Sequence, residues 1–346
     1  MSTPGYPLFC IGQPLLDIQV TDGEKLLEKY SLRANDGILA DDKHLAIYDE
    51  ITTDYAPVFV AGGAAQNTAR GAAYVLPPDS VVFTGCVGDD GLAEQLKAAN
   101  SREGLKDAYL VARGEKTGAC AVVITGHNRS LVTTLRAAEK FQRSHLLSDT
   151  VAPLVDGAKV FYMEGYMLTH NVSCALYLGE KASTLSKTFV LNLSAPRIPQ
   201  ALFAELEQVI PYCDIIIGNE AEAEAWGTAA GMPSSKDIAA VAKTLALLPK
   251  ANASRPRTVI ITHGPHSTIL VSSLHPEHPQ SFLVHPLSED RIVDTNGAGD
   301  AFAGGFLGAL VLGRPMEECV AIGHRLGAMC VQQVGPQYQW PKISVI

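Results

Sequence analysis

The sequence is short of several things that would settle its class at once, and each absence removes an option. Charged residues make up only 18% and are interspersed, with a formal net charge of -9. No run of Lys or Arg supplies a phosphate-binding stripe, so no nucleic-acid partner is expected. A small anion would need a local pocket of amides and one or two cations. The seven cysteines form no Cys-x-x-Cys and no zinc-like spacing, and their number is odd. They read as buried, reduced thiols. No apolar stretch is long enough to span a bilayer; the longest, around residues 301–312, is interrupted by glycines. No basic segment followed by an apolar one opens the chain, so no secretory signal is expected. The expected location is the cytoplasm, with a nuclear fraction left open. Several catalytic signatures are also missing: the Gly-x4-Gly-Lys-Ser/Thr loop, His-Arg-Asp, Asp-Phe-Gly, His-Glu-x-x-His and Gly-x-Ser-x-Gly.

What is present is an α/β rhythm. The 346 residues, 47% hydrophobic, can bury one large core with a smaller appendage. Short apolar runs at 8–12, 58–61, 81–87, 160–164, 188–193, 214–218 and 258–263 predict strands. They alternate with helical patterns at 64–75, 92–102, 173–186, 201–209, 237–248, 300–311 and 317–334. That alternation predicts a mainly parallel central sheet flanked by helices. Residues 118–125 and 130–135 break it. Joined by Gly126-His127-Asn128-Arg129, they predict a β-hairpin. With the region before residue 60 they would form a small β-rich lid. The expected division is a large domain over 1–16, 63–113 and 138–346, with a lid over 17–62 and 114–137.

In a parallel sheet, ligands sit at the carboxyl ends of the strands. There the sequence places Gly12-Gln13 through Asp17, Gly62-Gly63, Asn192, Asn219-Glu220 and Thr262-His263-Gly264. The strongest local signal is Asp294-Thr295-Asn296-Gly297-Ala298-Gly299-Asp300, running into Ala301-Phe302-Ala303-Gly304-Gly305-Phe306. Gly297 and Gly299 allow successive amides to converge, and the helix start adds its positive dipole end. Such a nest suits the charge of a transferring phosphoryl group, and Asp300 beside it can accept a proton from an attacking hydroxyl. The competing assignment makes Asp300 a plain helix cap. Gly304 and Gly305 argue against it, since each weakens a helix by about 1 kcal/mol and so implies a compensating close contact. A dinucleotide fingerprint fails, because Phe302 stands where its third glycine is needed.

These motifs resemble the ribokinase-like carbohydrate kinase family, and within it the branch that phosphorylates adenosine. The resemblance rests on the 294–306 segment and on Gly62-Gly63-Ala64-Ala65-Gln66-Asn67-Thr68-Ala69. It also rests on Gly12-Gln13-Pro14-Leu15-Leu16-Asp17, Thr117-Gly118-Ala119-Cys120-Ala121, Asn192-Leu193-Ser194-Ala195-Pro196 and Asn219-Glu220-Ala221-Glu222-Ala223, in order along the chain. It implies transfer of the ATP γ-phosphoryl to the 5′-hydroxyl of adenosine, with Asp300 as base. The amides of Gly297, Ala298 and Gly299, with Arg129 from the lid, would stabilise charge. Gln13, Asp17, Gly62, Gly63, Asn67 and Asn296 would hold the nucleoside. Asn192, Asn219, Thr262, Gly264 and His324 would lie on the ATP side, and Glu222 would hold Mg²⁺ through water. A monovalent cation is left open as a further cofactor, and a monomer is expected. The departures fall in the nucleoside pocket and lid: Gln13, Ala64, Ala137-Ala138-Glu139, Tyr166-Met167 and Arg197 stand where relatives carry other residues. A kinase for another nucleoside or a sugar, and a non-catalytic nucleoside-binding protein, are the alternatives.

Overall fold

The computed structural model describes residues 5–34, 36–126 and 128–346. His127 of the expected hairpin loop lies outside the described residues. Seven strands pair in parallel in the order Lys106–Asp107, Val81–Thr84, Leu8–Ile11, Val160–Glu164, Thr188–Asn192, Ile215–Asn219 and Thr258–Thr262. Most of their residues are buried on both faces, which is why the sequence shows near-continuous apolar runs rather than alternation. Two antiparallel strands, Thr268–Ser272 and Gln280–Phe282, extend one edge. The sequence reading predicts neither of them, its last expected strand being 258–263.

One face of the sheet carries the helices Ala64–Val75, Ala298–Val311 and Met316–Cys330. The other carries Leu168–Thr184, Glu220–Ala229 and Ile238–Leu247. The expected strand over 81–87 is two strands, Val81–Thr84 and Cys86–Gly88, broken at Gly85. A Cβ on Gly85 would run into the Gly12 carbonyl oxygen, so the chain there passes too close to its neighbour for any other residue.

A second, five-stranded sheet follows the order Gly37–Leu39, Asn128–Thr134, Ala119–Thr125, Leu15–Val20 and Val58–Gly62. The hairpin is tighter than its sequence suggested. Asn128 pairs with Thr125 and Arg129 with Ile124, so Arg129 belongs to a strand rather than to the loop. The cross-strand hydrogen bonds outweigh the polar character of those residues. This sheet has its own core of Ile18, Val20, Leu26, Ile47, Ile51, Val123 and Val132. It meets the large sheet where Leu8–Ile11 leads directly into Leu15–Val20.

Candidate active site

The helix Ala298–Val311 begins at Gly297, whose φ of 77° is left-handed, and no side chain caps it. Gly297 has a second reason to lack a side chain: a Cβ there would lie 2.6 Å from Pro336. The first amides of a helix have no partner within it, so those of Gly299 and Asp300 point out of the helix mouth. Asp300 is therefore not the cap that the competing assignment required. A Cβ at Gly299 would meet nothing within 4 Å, so the nest opens onto free space. The two glycines deeper in the helix have the close contacts their cost implied. A Cβ on Gly304 would lie 2.6 Å from the Thr68 carbonyl oxygen, and one on Gly305 2.8 Å from that of Ile322. The helix is wedged between Ala64–Val75 and Met316–Cys330.

Two cavities meet there. One, of about 360 Å³, is bounded by Gln13, Asp17, Gly63 and Asn67 on one side and by Asn296, Gly297 and Asp300 on the other. The second, of about 580 Å³, is bounded by Gly264, His285, His324 and Val331 and is mostly apolar. Asn219, Thr262, Ala298 and Gly299 line both. Asn192, expected on the ATP side, faces the first cavity only, as does Glu222.

Asp300 is half-buried and receives the Asn67 Nδ2–H at 2.9 Å. Burial pushes its pKa up to about 7, with the Asn67 hydrogen bond pulling the other way. Asp17 is buried and also pushed up to about 7, first by burial; Arg70 and Arg129 lower it, while Asp300 and Asp294 raise it. Gly62 does not line the cavity but backs it, since a Cβ would run into Asp17 Oδ1. Gly63, at φ 89°, lies against the Gln13 carbonyl, where a Cβ would also collide.

Asn219 caps the helix Glu220–Ala229 in a reciprocal box with Glu222. Glu222 Oε2 accepts from the Asn219 backbone N–H at 3.0 Å and Oε1 from Asn219 Nδ2 at 2.9 Å. Each oxygen keeps lone pairs, and burial pushes this carboxyl to about 7. Among the described residues no cluster of three or more His, Cys, Asp or Glu could enclose a metal ion. One cavity-wall carboxylate still fits a hydrated Mg²⁺, which keeps its waters and takes its remaining ligands from phosphates. On the far side His324 Nε2 lies 2.8 Å from Thr268 Oγ1 and its ring lies 5.5 Å from that of Phe302; burial lowers its pKa.

Arg129 lines neither cavity. Its Nε lies 2.7 Å from Asp294 Oδ1, so the lid hairpin reaches the start of the glycine turn. Asp294, 5% exposed, also accepts from the Asn296 N–H at 2.9 Å and the Gly335 N–H at 2.6 Å. It lay inside the segment singled out from sequence but was given no role there. Glu164 was missed altogether. Its Oε1 accepts from the Gln13 N–H and its Oε2 from the Ala65 N–H, both at 2.6 Å, which sets the first loop against the start of the helix Ala64–Val75. Burial raises its pKa to about 8 against those two bonds. An acid ending the apolar run Val160–Glu164 was the signal available. Tyr166 and Arg197, two of the departures, stack at the mouth of the first cavity, with the guanidinium 5.2 Å from the ring centre.

Residues 24–343 match the pfkB family of carbohydrate kinases. The chain belongs to that family. It is 62% identical to the adenosine kinase of Schizophyllum commune over 341 residues, 99% of each chain. Against the adenosine kinase of Saccharomyces cerevisiae it is 45% identical over 98% of each. Its fold is similar to the crystal structure of Anopheles gambiae adenosine kinase in complex with a di(adenosine) tetraphosphate, with a TM-score of 0.90 and 37% identity over 95% of this chain and 96% of that one. It is also similar to Schistosoma mansoni adenosine kinase in complex with adenosine and AMP, at a TM-score of 0.89 and 32% identity, covering 97% and 98%. No helix among the described residues is long and apolar enough to cross a membrane.

Proposed function

We propose that this chain transfers the γ-phosphoryl group of ATP to the 5′-hydroxyl of adenosine, giving AMP and ADP. The observation that carries the proposal is a carboxyl group, Asp300, beside uncapped amides at a helix mouth that opens on two cavities at once. The first cavity takes the nucleoside. Asp17 can accept hydrogen bonds from two vicinal hydroxyls, as a ribose presents, while Gly63 lets the backbone approach the sugar. The second, apolar cavity takes the adenine end of ATP, so that its phosphates run past Asn219 and Thr262 to the glycine turn.

Asp300 takes the proton of the attacking hydroxyl as its oxygen bonds to the γ-phosphorus. The bond from that phosphorus to the β,γ-bridging oxygen breaks, and ADP leaves with the electron pair. The Gly299 and Asp300 amides stabilise the charge on the transferring group. Arg129 acts from the lid side of the same turn. Glu222 would hold Mg²⁺ through water when it binds with ATP, and the ion would supply neutralisation of phosphate charge. Assembly of the site under the lid limits water, which would otherwise accept the phosphoryl group and waste ATP.

Support for adenosine as the acceptor comes from relatives of 62% and 45% identity that carry that activity across almost the whole chain. A panel of adenosine, inosine, guanosine and ribose, each with Mg·ATP, tests it through kcat/KM. Adenosine is expected to be the best of the four. A clear preference for another acceptor would move the assignment to that substrate.

A further inference from the structure

Outside both cavities, and unused by the steps above, a buried ion pair sits behind the two acids of the nucleoside site. Arg70 is 2% exposed and Glu103 6%. Their contact is two-pronged: Nε to Oε2 and Nη2 to Oε1, each 2.8 Å. The remaining guanidinium nitrogen, Nη1, does two further things. It donates to the Ala61 carbonyl at 2.8 Å and makes a longer contact of 3.4 Å with Asn67 Oδ1. Asn67 then turns its Nδ2 to Asp300. Ala61 pairs with Leu16 in the lid sheet and precedes Gly62, which lies against Asp17.

We propose that Arg70, fixed by Glu103, is a positioning residue for phosphoryl transfer: it sets the Asn67 amide so that its NH₂ end faces Asp300, and it ties the strand behind Asp17 to the helix carrying Asn67. This rests on the phosphoryl-transfer assignment above. An amide has one accepting and one donating end. A cation at the oxygen end forbids the flipped orientation, which would aim an oxygen at the Asp300 carboxylate. A buried pair is weak evidence of a stabilising role, since hydrophobic residues of similar volume often stabilise a fold as well. Arg70 also lowers the pKa of Asp17. The charged groups facing Asp17 are Arg70 from the helix, Arg129 from the lid, and Asp294 and Asp300 from the glycine turn. Asp300 in turn faces Glu164 and Glu222, the hydroxyls of Tyr162, Tyr166 and Tyr338, and the Cys330 thiol.

The test compares the wild-type chain with Arg70→Met/Glu103→Leu, which removes both charges together, and with Arg70→Lys, which keeps a partner for Glu103 but loses the fork. For each, kcat and both KM values are measured across pH, beside a thermal melt. In the double variant the KM for adenosine is expected to rise about tenfold, the scale of a lost hydrogen bond to a charged group. The acid limb of kcat/KM should move up by about one pH unit, because Asp17 loses a cation that favours its ionisation. The KM for ATP should hold. Arg70→Lys should show the same changes in smaller measure, and it carries the test alone if the double variant does not fold. A purely structural pair would lower the melting temperature or the active fraction and leave KM and the pH limb where they were; that result overturns the inference. Absence of adenosine-dependent ADP release from the wild-type chain would instead defeat the assignment it rests on.

Discussion

Asp17, Glu164, Glu222 and Asp300 are four acids held in or against one cleft, each with its pKa raised by burial to about 7 or 8. Asp17, Glu222 and Asp300 line the first cavity, and in the proposed mechanism Asp300 is the base and Asp17 holds the ribose. The base must be ionised to take a proton, so kcat/KM should fall as pH drops through about 7. Because two acids near that value face each other, the limb can be steeper than one proton. A pH–rate profile for adenosine checks this; a flat profile between pH 5 and 8 would remove both acids from their roles. How much was legible also differs residue by residue. Asp300 and Asp17 stand beside glycine-rich signals, and local sequence marks them. Glu164 and Arg70 act through backbone amides and another side chain across 99 and 33 residues of sequence, and no local pattern marks such partners.

At the scale of the element, the helix Ala298–Val311 is a wedge whose glycines are contact surfaces. Gly304→Ala would gain about 1 kcal/mol of helix propensity. It would also place a methyl group 2.6 Å from the Thr68 carbonyl oxygen and 2.8 Å from Gly71 Cα. Overpacking of this kind costs about 1–3 kcal/mol, so the net effect should be destabilising. Urea unfolding reads it as a lower midpoint with an unchanged slope. A variant as stable as the parent would mean that the neighbouring helices yield freely. The glycines announced this contact in the sequence. The short strands did not announce theirs: Leu15–Val20 follows the first strand after three residues, so its switch into the second sheet reads as a loop.

Across the whole molecule, the parallel sheet was readable because burial on both faces leaves apolar runs. The seat of Arg129 was not, since its ion pair with Asp294 joins a strand of the second sheet to the glycine turn 165 residues further along the chain. The cleft also sets a pH dependence of stability. An acid whose folded pKa is raised binds its proton more tightly folded than unfolded. Its contribution is full below the unfolded value, near 4, and is lost as pH rises through the folded value. Four such acids should lower the melting temperature of the unliganded protein between pH 6 and 8.5. Half-buried His324, its pKa lowered, opposes them as a single group. Differential scanning calorimetry at the two pH values checks this, and Asp300→Asn should lessen the fall. A melting temperature that rises over that range would contradict the raised values. The most direct measurement is adenosine-dependent ADP release, with Mg·ATP, by the wild-type chain and by Asp300→Asn. The account predicts turnover in the first and a kcat at least ~10²-fold lower in the second, with the melt still cooperative. Near-normal turnover by a folded Asp300→Asn chain would contradict it.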